Sequence, residues 1–363
     1  MYYMVTPLAD ELLSSWLIRS SILNGTDPIG FTESIWYNER VWTKDIDRYF
    51  SKDKIQFLQE HTSPSLTQIY YMTLEPIYTK LTNPQTINPK KQWQYIIPIG
   101  IRNRTKTNGL HFCPLCLKES IPYLKKQWRL SWNCICEKHQ IMLELHCHEC
   151  NRCFSPHLID YTNIDFTKCQ YCNASLTDIK YTHAKESVFD FQNFLNISLK
   201  QNIILGNKYP IIDNKVFELF ATVRGFMLFF RNLAHSDVYS SFRDYLFEQM
   251  GYQYKPIEKD MSLRQSSIDA LPVKQRYQLL DMVTCIFQFN LPEVILMLTK
   301  ADVSKQLFTK SITLYSPTLI HISNSLKNRP KTIKKKVIKT VSAYQPKSKY
   351  EVEALMEEIR PYL

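Results

Sequence analysis

Residues 113–139 read CPLCLKESIPYLKKQWRLSWNCICEKH, and residues 147–172 read CHECNRCFSPHLIDYTNIDFTKCQYC. The first stretch is CxxC–x19–CxxH and the second CxxC–x18–CxxC. A two-residue gap lets both members of a pair curl onto one ion, and two pairs complete a tetrahedron. The spacing therefore predicts a zinc site of three thiolates and one imidazole, from Cys113, Cys116, Cys136 and His139. It predicts a second site of four thiolates, from Cys147, Cys150, Cys169 and Cys172. Cys153 is spare, although a Cys150-x-x-Cys153 register in which it replaces Cys147 stays open. Cys134 and Cys285 read as core thiols, and His146 and His148 as surface residues.

Rival readings fit less well. A thioredoxin-like redox pair needs one CxxC in a βαβ setting, whereas three CxxC pairs and one CxxH pair crowd here. A disulfide framework belongs to an oxidising compartment. An iron–sulfur cluster takes four thiolates, and His139 makes the first set a poor match. Two sites with four protein ligands each are closed, which marks zinc as structural. Small modules bury little apolar surface, so each ion would supply roughly 10–16 kcal/mol of folding energy at neutral pH.

The sequence around these pairs changes period. Trp128, Leu130 and Trp132 alternate with polar residues, as do Ile141, Leu143 and Leu145, which predicts short strands flanking a turn at CICEKHQ. Outside 111–175 the pattern is helical. Leu13, Trp16 and Leu17 share a face, with Asp10 available as N-cap. Segments near 44–59, opening at Asp45 and Ile46, and near 65–80, opening at Ser65 and Leu66, continue it. They build either a helix-turn-helix or a plain helical bundle. Val216, Phe220, Val223, Met227 and Phe230 mark a helix in the C-terminal half. PEVILMLTKADVSKQLFTKS offers a second helix-turn-helix candidate, with Ala301 and Asp302 opening its second helix, or an ordinary helical hairpin. The expected fold is mainly α. It has an N-terminal helix-turn-helix-like domain (1–85), a connector (86–110), a double zinc-binding module with short strands (111–180), a C-terminal helical domain (181–326), and a basic tail with a short terminal helix (327–363).

Charge is unevenly spread. The net charge of +11 contains nine basic residues and no acid between Lys327 and Lys349. That tail is either a solvated linker or a contact to nucleic-acid phosphates through Lys334, Lys335, Lys336 and Lys339. With only seven glycines, no GxxxxGK[ST] or GxGxxG loop occurs, and HExxH and GxSxG are absent too. A zinc nuclease or deaminase would need an open site with a nearby Glu. Glu137 and Glu149 lie inside the metal pairs, but neither sits in an HxE…PCxxC arrangement. The start, MYYMVTPLADE, has no secretory pattern, and YQLLDMVTCIFQFNLPEVILMLT is broken by Asp281, Pro292 and Glu293. A soluble, cytoplasmic, non-enzymatic protein is expected.

PLADELLSSWLIRSSILNG (7–25), FCPLCLKES (112–120) and WRLSWNCICEKHQIML (128–143), followed by a second CxxC pair, resemble the TniQ/TnsD family of transposon target-selection proteins. The opening is similar to that family's proline-then-acidic "DEL" start and Arg-bearing helix, here with Arg19. The resemblance implies a non-catalytic bacterial protein that chooses where a transposon inserts and recruits an AAA+ transposition regulator of the TnsC type. Some members read a DNA site directly. Shorter ones dock on a Cascade effector with its guide RNA, as a head-to-tail homodimer. The length of this chain is nearer the Cascade-associated members. Its implied partners are the effector, the AAA+ regulator, target DNA and a second copy of itself.

Overall fold

A computed structural model describes residues 3–82, 93–99, 110–204, 209–235, 240–256, 267–310, 312, 316–328, 352, 353 and 356. Residues up to 328 form one unit and 329–363 a second, in which 352, 353 and 356 are helical and exposed. Among the described residues the chain is mainly helical, with isolated antiparallel bridges in place of longer strands.

Helix α1 (Leu13–Leu23) is buried on several faces. Leu13, Trp16 and Leu17 enter a small N-terminal core, while Leu12 and Ile18 belong to the main core. Four serines, at 14, 15, 20 and 21, are buried too, so neighbouring elements approach α1 closely. Asp10 does not cap this helix. Leu12 holds the cap position with no side-chain bond. The Asp10 carboxylate instead accepts the Gln127 N–H at 3.3 Å, and Leu12 N–H reaches Leu124 O at 2.9 Å. Pairing with a distant segment has displaced the local cap.

Helix α2 (Pro28–Ile35) follows, with Asp27 accepting from Gly30 N–H at 2.8 Å and Pro28 at the first helical position. The helix expected from Asp45 begins later, as α3 (Lys52–His61). Asp45 and Asp47 lie in a turn because their carboxylates are spent on a buried arginine described below. The segment expected over 65–80 is two helices, α4 (Leu66–Tyr71) and α5 (Glu75–Leu81). Ser65 and Gln68 form a capping box at α4. Pro76, in the first turn of α5, cannot continue a preceding helix. Helices α3 and α4 pack together around Ile55, Leu58, Ile69 and Met72.

The cysteine-rich region follows and is bonded to both groups of helices. It opens with α6 (Pro114–Leu117). The expected Trp128–Trp132 strand is a 3-10 turn over Lys126–Arg129 followed by one bridge, Leu130 to Ile96. The later alternation survives as single bridges, Ile135 to Met142, Phe112 to Glu144 and Ile141 to His183. Tight metal-pair turns leave too little chain for longer ladders.

The C-terminal layer comprises α7 (Glu186–Gln201), α8 (Val216–His235), α9 (Ser240–Gln249), α10 (Val273–Ile286), α11 (Leu291–Lys300), α12 (Lys305–Thr309) and α13 (Pro317–Ser325). Helix α8 is the apolar helix expected from its Val216-to-Phe230 stripe, and it packs on α5, α7, α9, α10 and α13. A Cβ at Gly225 would stand 2.5 Å from Leu319 Cδ1, so glycine sets how closely α8 meets α13. Ala301 and Asp302 do not open α12. Asp302 is left-handed (φ 54°), and Ser304 caps the helix through Leu307 N–H. The apolar run 277–299 is the pair α10 and α11, bent by 108°. No single helix among the described residues is long and apolar enough to cross a membrane.

Candidate metal centres

The four donors of the first set arrive from two local turns. Cys113 caps α6 and Cys116 lies within it. Cys136 and His139 come from the turn after Trp132. Cys113 Sγ stands 3.4 Å from His139 Nδ1, Cys116 Sγ 3.3 Å from the same nitrogen, and Cys136 Sγ 3.6 Å from it. The Cys116 and Cys136 sulfurs are 3.6 Å apart. In the second set the Cys147–Cys172 and Cys150–Cys169 sulfur pairs are each 3.6 Å apart. Within each set all four donor atoms lie within 4.8 Å of one another. A tetrahedral zinc with ordinary bond lengths spaces two sulfurs by about 3.8 Å, and sulfur and nitrogen by about 3.6 Å. Both sets therefore fit zinc, and each can hold one ion with no position left open. Cys153 falls outside the second set, paired instead through a bridge to His146.

Three of the four metal pairs share one backbone turn. The N–H of the residue after the pair bonds back to the first ligand's carbonyl: Gln140 to Cys136 at 2.8 Å, Asn151 to Cys147 at 3.0 Å, Asn173 to Cys169 at 2.9 Å. Each of these residues has positive φ, 55°, 54° and 64°. The first ligand's own N–H then closes the turn on Ile141, Arg152 or Ala174. This turn aims successive amides at the sulfurs. Asn tolerates the left-handed conformation better than most residues, so the CxxCN repeat at 147–151 and 169–173 was a readable signal for it. The Cys113–Cys116 pair is helical instead, with Leu117 N–H bonding Cys113 O at 3.1 Å.

The thiols feel these donors. Hydrogen bonds from Cys113 and then Cys116 hold the Cys136 thiol down to about 2, while Cys116, hydrogen-bonded to Cys113 and Cys136, is pushed up. The Ala174 N–H holds Cys172 down to about 7. A carboxylate also stands behind the histidine. His139 Nε2 is 3.8 Å from Glu119 Oε1, which also pairs with Lys138 Nζ at 2.8 Å. An acid on that side favours Nε2–H and leaves Nδ1 as the metal donor.

The first set is tied into the whole unit. Gln192 of α7 accepts from the N–H groups of Cys134 (2.8 Å) and Ile135 (3.0 Å) and donates to Ile135 O at 2.9 Å. Asn196 accepts from Trp132 Nε1 at 2.9 Å. Arg276 of α10, fully buried, donates to Ser131 O at 2.7 Å and contacts His111 Nε2 at 3.1 Å and Cys134 Sγ at 3.7 Å. On the N-terminal side Arg129 is buried between Asp45 (2.6 Å) and Asp47 (3.2 Å). Asp47 also accepts from Ser14 N–H and Oγ, both at 2.7 Å. Burial, opposed by Arg129, pushes the Asp47 carboxyl up to about 6. The "DEL" opening has a structural use as well. The buried Glu11 carboxylate takes Arg19 at 2.8 and 2.9 Å, Ser15 Oγ at 2.9 Å and Leu8 N–H at 2.9 Å.

Cys134 is fully buried, Cys285 is half-buried, and His146 and His148 are exposed. Glu137 and Glu149 are exposed on their turns. Lys334, Lys335, Lys336 and Lys339 lie outside the described residues. Sequence reasoning missed Arg129, Asp45, Asp47, Glu119, Gln192 and Arg276, whose partners are remote or whose residue types are common.

Residues 2–143 match the TniQ family, a stretch that spans α1 to α6 and the whole first donor set. No curated protein matches the chain.

Proposed function

From the premise that the chain carries a TniQ domain, which ties it to transposon target selection, we propose that it is a non-catalytic targeting adaptor. It links a Cascade effector with its guide RNA, seated on target DNA, to the AAA+ regulator of the transposon. Two Zn2+ ions, at Cys113/Cys116/Cys136/His139 and at Cys147/Cys150/Cys169/Cys172, act as scaffold. The observation that carries the reading is the pairing of a TniQ match with two closed four-donor sets, one of them inside the matched stretch. Closed sites offer recognition surfaces rather than a reactive metal. The segments 1–85, 111–180 and 181–326 would then serve as partner-facing, zinc-braced and helical parts of one adaptor, working as a homodimer in the cytoplasm.

The test is co-expression with the effector, guide RNA and regulator from the same locus. A stoichiometric complex that survives gel filtration is expected. Absence of any complex, with the chain alone shifting one chromosomal fragment over competitor DNA, would replace the adaptor by a direct DNA reader of the TnsD type. One observation favours that second reading: the basic residues cluster in 327–349, including Lys334, Lys335, Lys336 and Lys339. It requires α3 and α4 to act as a helix-turn-helix in the major groove.

A further inference from the structure

Between Val303 and Tyr350 there is no Asp or Glu and there are eleven Lys or Arg residues. The rest of the chain holds 34 basic and 34 acidic side chains, so the whole net charge of +11 resides in this segment. Its described part is not a loose charge run. Lys305 N–H bonds Lys327 O at 2.9 Å, Lys305 Nζ donates to Asn324 Oδ1 at 2.9 Å, and Gln306 Nε2 donates to Asn328 Oδ1 at 3.0 Å. These bonds clasp α12 to the end of α13. They gather two lysines and three amide side chains at one corner, where Gln306, Asn324, Lys327 and Asn328 are exposed. The Lys305 ammonium is held by a neutral amide oxygen rather than a carboxylate, so that bond does not neutralise its charge. An ordinary solvated surface interleaves both signs. Here the segment from Ser304 to Tyr350 carries only one sign, and the Lys305 ammonium is held in place by its bond to Asn324.

We propose that the α12–α13 corner, centred on Lys305, Gln306, Lys327 and Asn328, is a binding surface for the phosphodiester backbone of nucleic acid. Lysine ammonium groups neutralise phosphates and release counterions. Amide side chains donate to phosphate and sugar oxygens, setting position without reading bases. The surface rests on the targeting reading above and deepens it: it would hold the adaptor on the target duplex, or on guide RNA, beside the effector. In sequence it is followed directly by the remaining basic residues, from Arg329 to Lys349.

The experiment uses the full zinc-loaded chain and three probes: a random-sequence DNA duplex, an RNA duplex of the same length, and phosphatidylglycerol vesicles. Affinity is measured across a salt series for the parent, for K305Q/K327Q, and for K327Q alone, which leaves the Lys305 side-chain bond intact. Each lost phosphate contact lowers the log–log salt slope by about 0.9, so the double variant should lose about 1.8 and the single variant about half that. The same slope change on DNA and RNA assigns the shared backbone; a change on one names the source. An unchanged slope on both, or an effect confined to vesicles, overturns the proposal. Capture of the variants by the effector is scored in parallel. Capture retained with a reduced slope is the expected result. Failure of the parent to bind the effector while the slope still falls would remove the adaptor reading and leave this surface standing.

Discussion

The two donor sets have nearly the same spacing and very different surroundings. Cys113, Cys116 and Cys136 are buried in the main core, braced by Gln192, Asn196 and Arg276 from the C-terminal helices. In the second set Cys172 is exposed and Cys150 half-buried. A concavity of about 440 Å³, lined in part by Asp160, Lys168, Tyr171 and Cys172, opens onto it. The pairs fix where an ion can sit, and the segments between them fix how deeply. Between Cys116 and Cys136 run Leu124, Trp128, Leu130 and Trp132, all buried. Between Cys150 and Cys169, Phe154, Ile159 and Phe166 are buried as well, but Tyr161 is 70% exposed. The first centre is therefore braced from the C-terminal helices, whereas the second keeps Cys147 and Cys169 in the main core and presents Cys150 and Cys172 toward the surface.

The largest expected effect separates the two. Cys136→Ser should remove the first ion and the cooperative thermal transition, because roughly 10–16 kcal/mol of metal-linked folding energy exceeds what most domains can lose. Cys172→Ser should leave a folded chain with one ion, and its loss of hydrogen-exchange protection should be confined to 147–180. Equal damage from both, seen by circular dichroism and exchange, would break the comparison.

A smaller effect tests how the first centre is joined to the N-terminal helices. Arg129→Met strands Asp45 and Asp47 in the interior, at a cost of about 3–5 kcal/mol in urea unfolding. Adding Asp45→Asn should recover part of it. If the double variant is no better than the single one, the ion pair is not what couples these layers.

The smallest effect concerns the shared turn. Asn151→Val and Asn173→Val each place a branched side chain at positive φ and should cost about 1–2 kcal/mol, whereas the glycine variants should be close to neutral. A valine variant as stable as glycine would mean that the turn relaxes when the ion is bound.

How far the sequence could be read follows from the range of each interaction. The eight donors were legible because coordination imposes fixed local intervals, and α8 because its apolar stripe repeats along the helix. The start of α3 was not legible. Asp45 and Asp47 look like helix-opening acids until Arg129, 84 and 82 residues away, claims them. Trp128 alternates like a strand residue but sits in a 3-10 turn, because Lys126 N–H is bound to Asp10 O at 2.8 Å and the chain must turn there. Glu11 and Arg19 stood out in the sequence, but their pairing became evident only with the fold. The Asn after each CxxC of the second set was readable and marks the knuckle turn.

The most direct test is native mass spectrometry of the purified full chain during slow titration with a zinc chelator. Two zinc ions per chain are expected at the start. One should leave early with the fold retained, and cysteine alkylation should then label Cys147, Cys150, Cys169 and Cys172 before Cys113, Cys116 and Cys136. A chain that carries one metal or none, an iron–sulfur mass, or first labelling at Cys113, Cys116 and Cys136 would contradict a scaffold built on two unequal zinc centres.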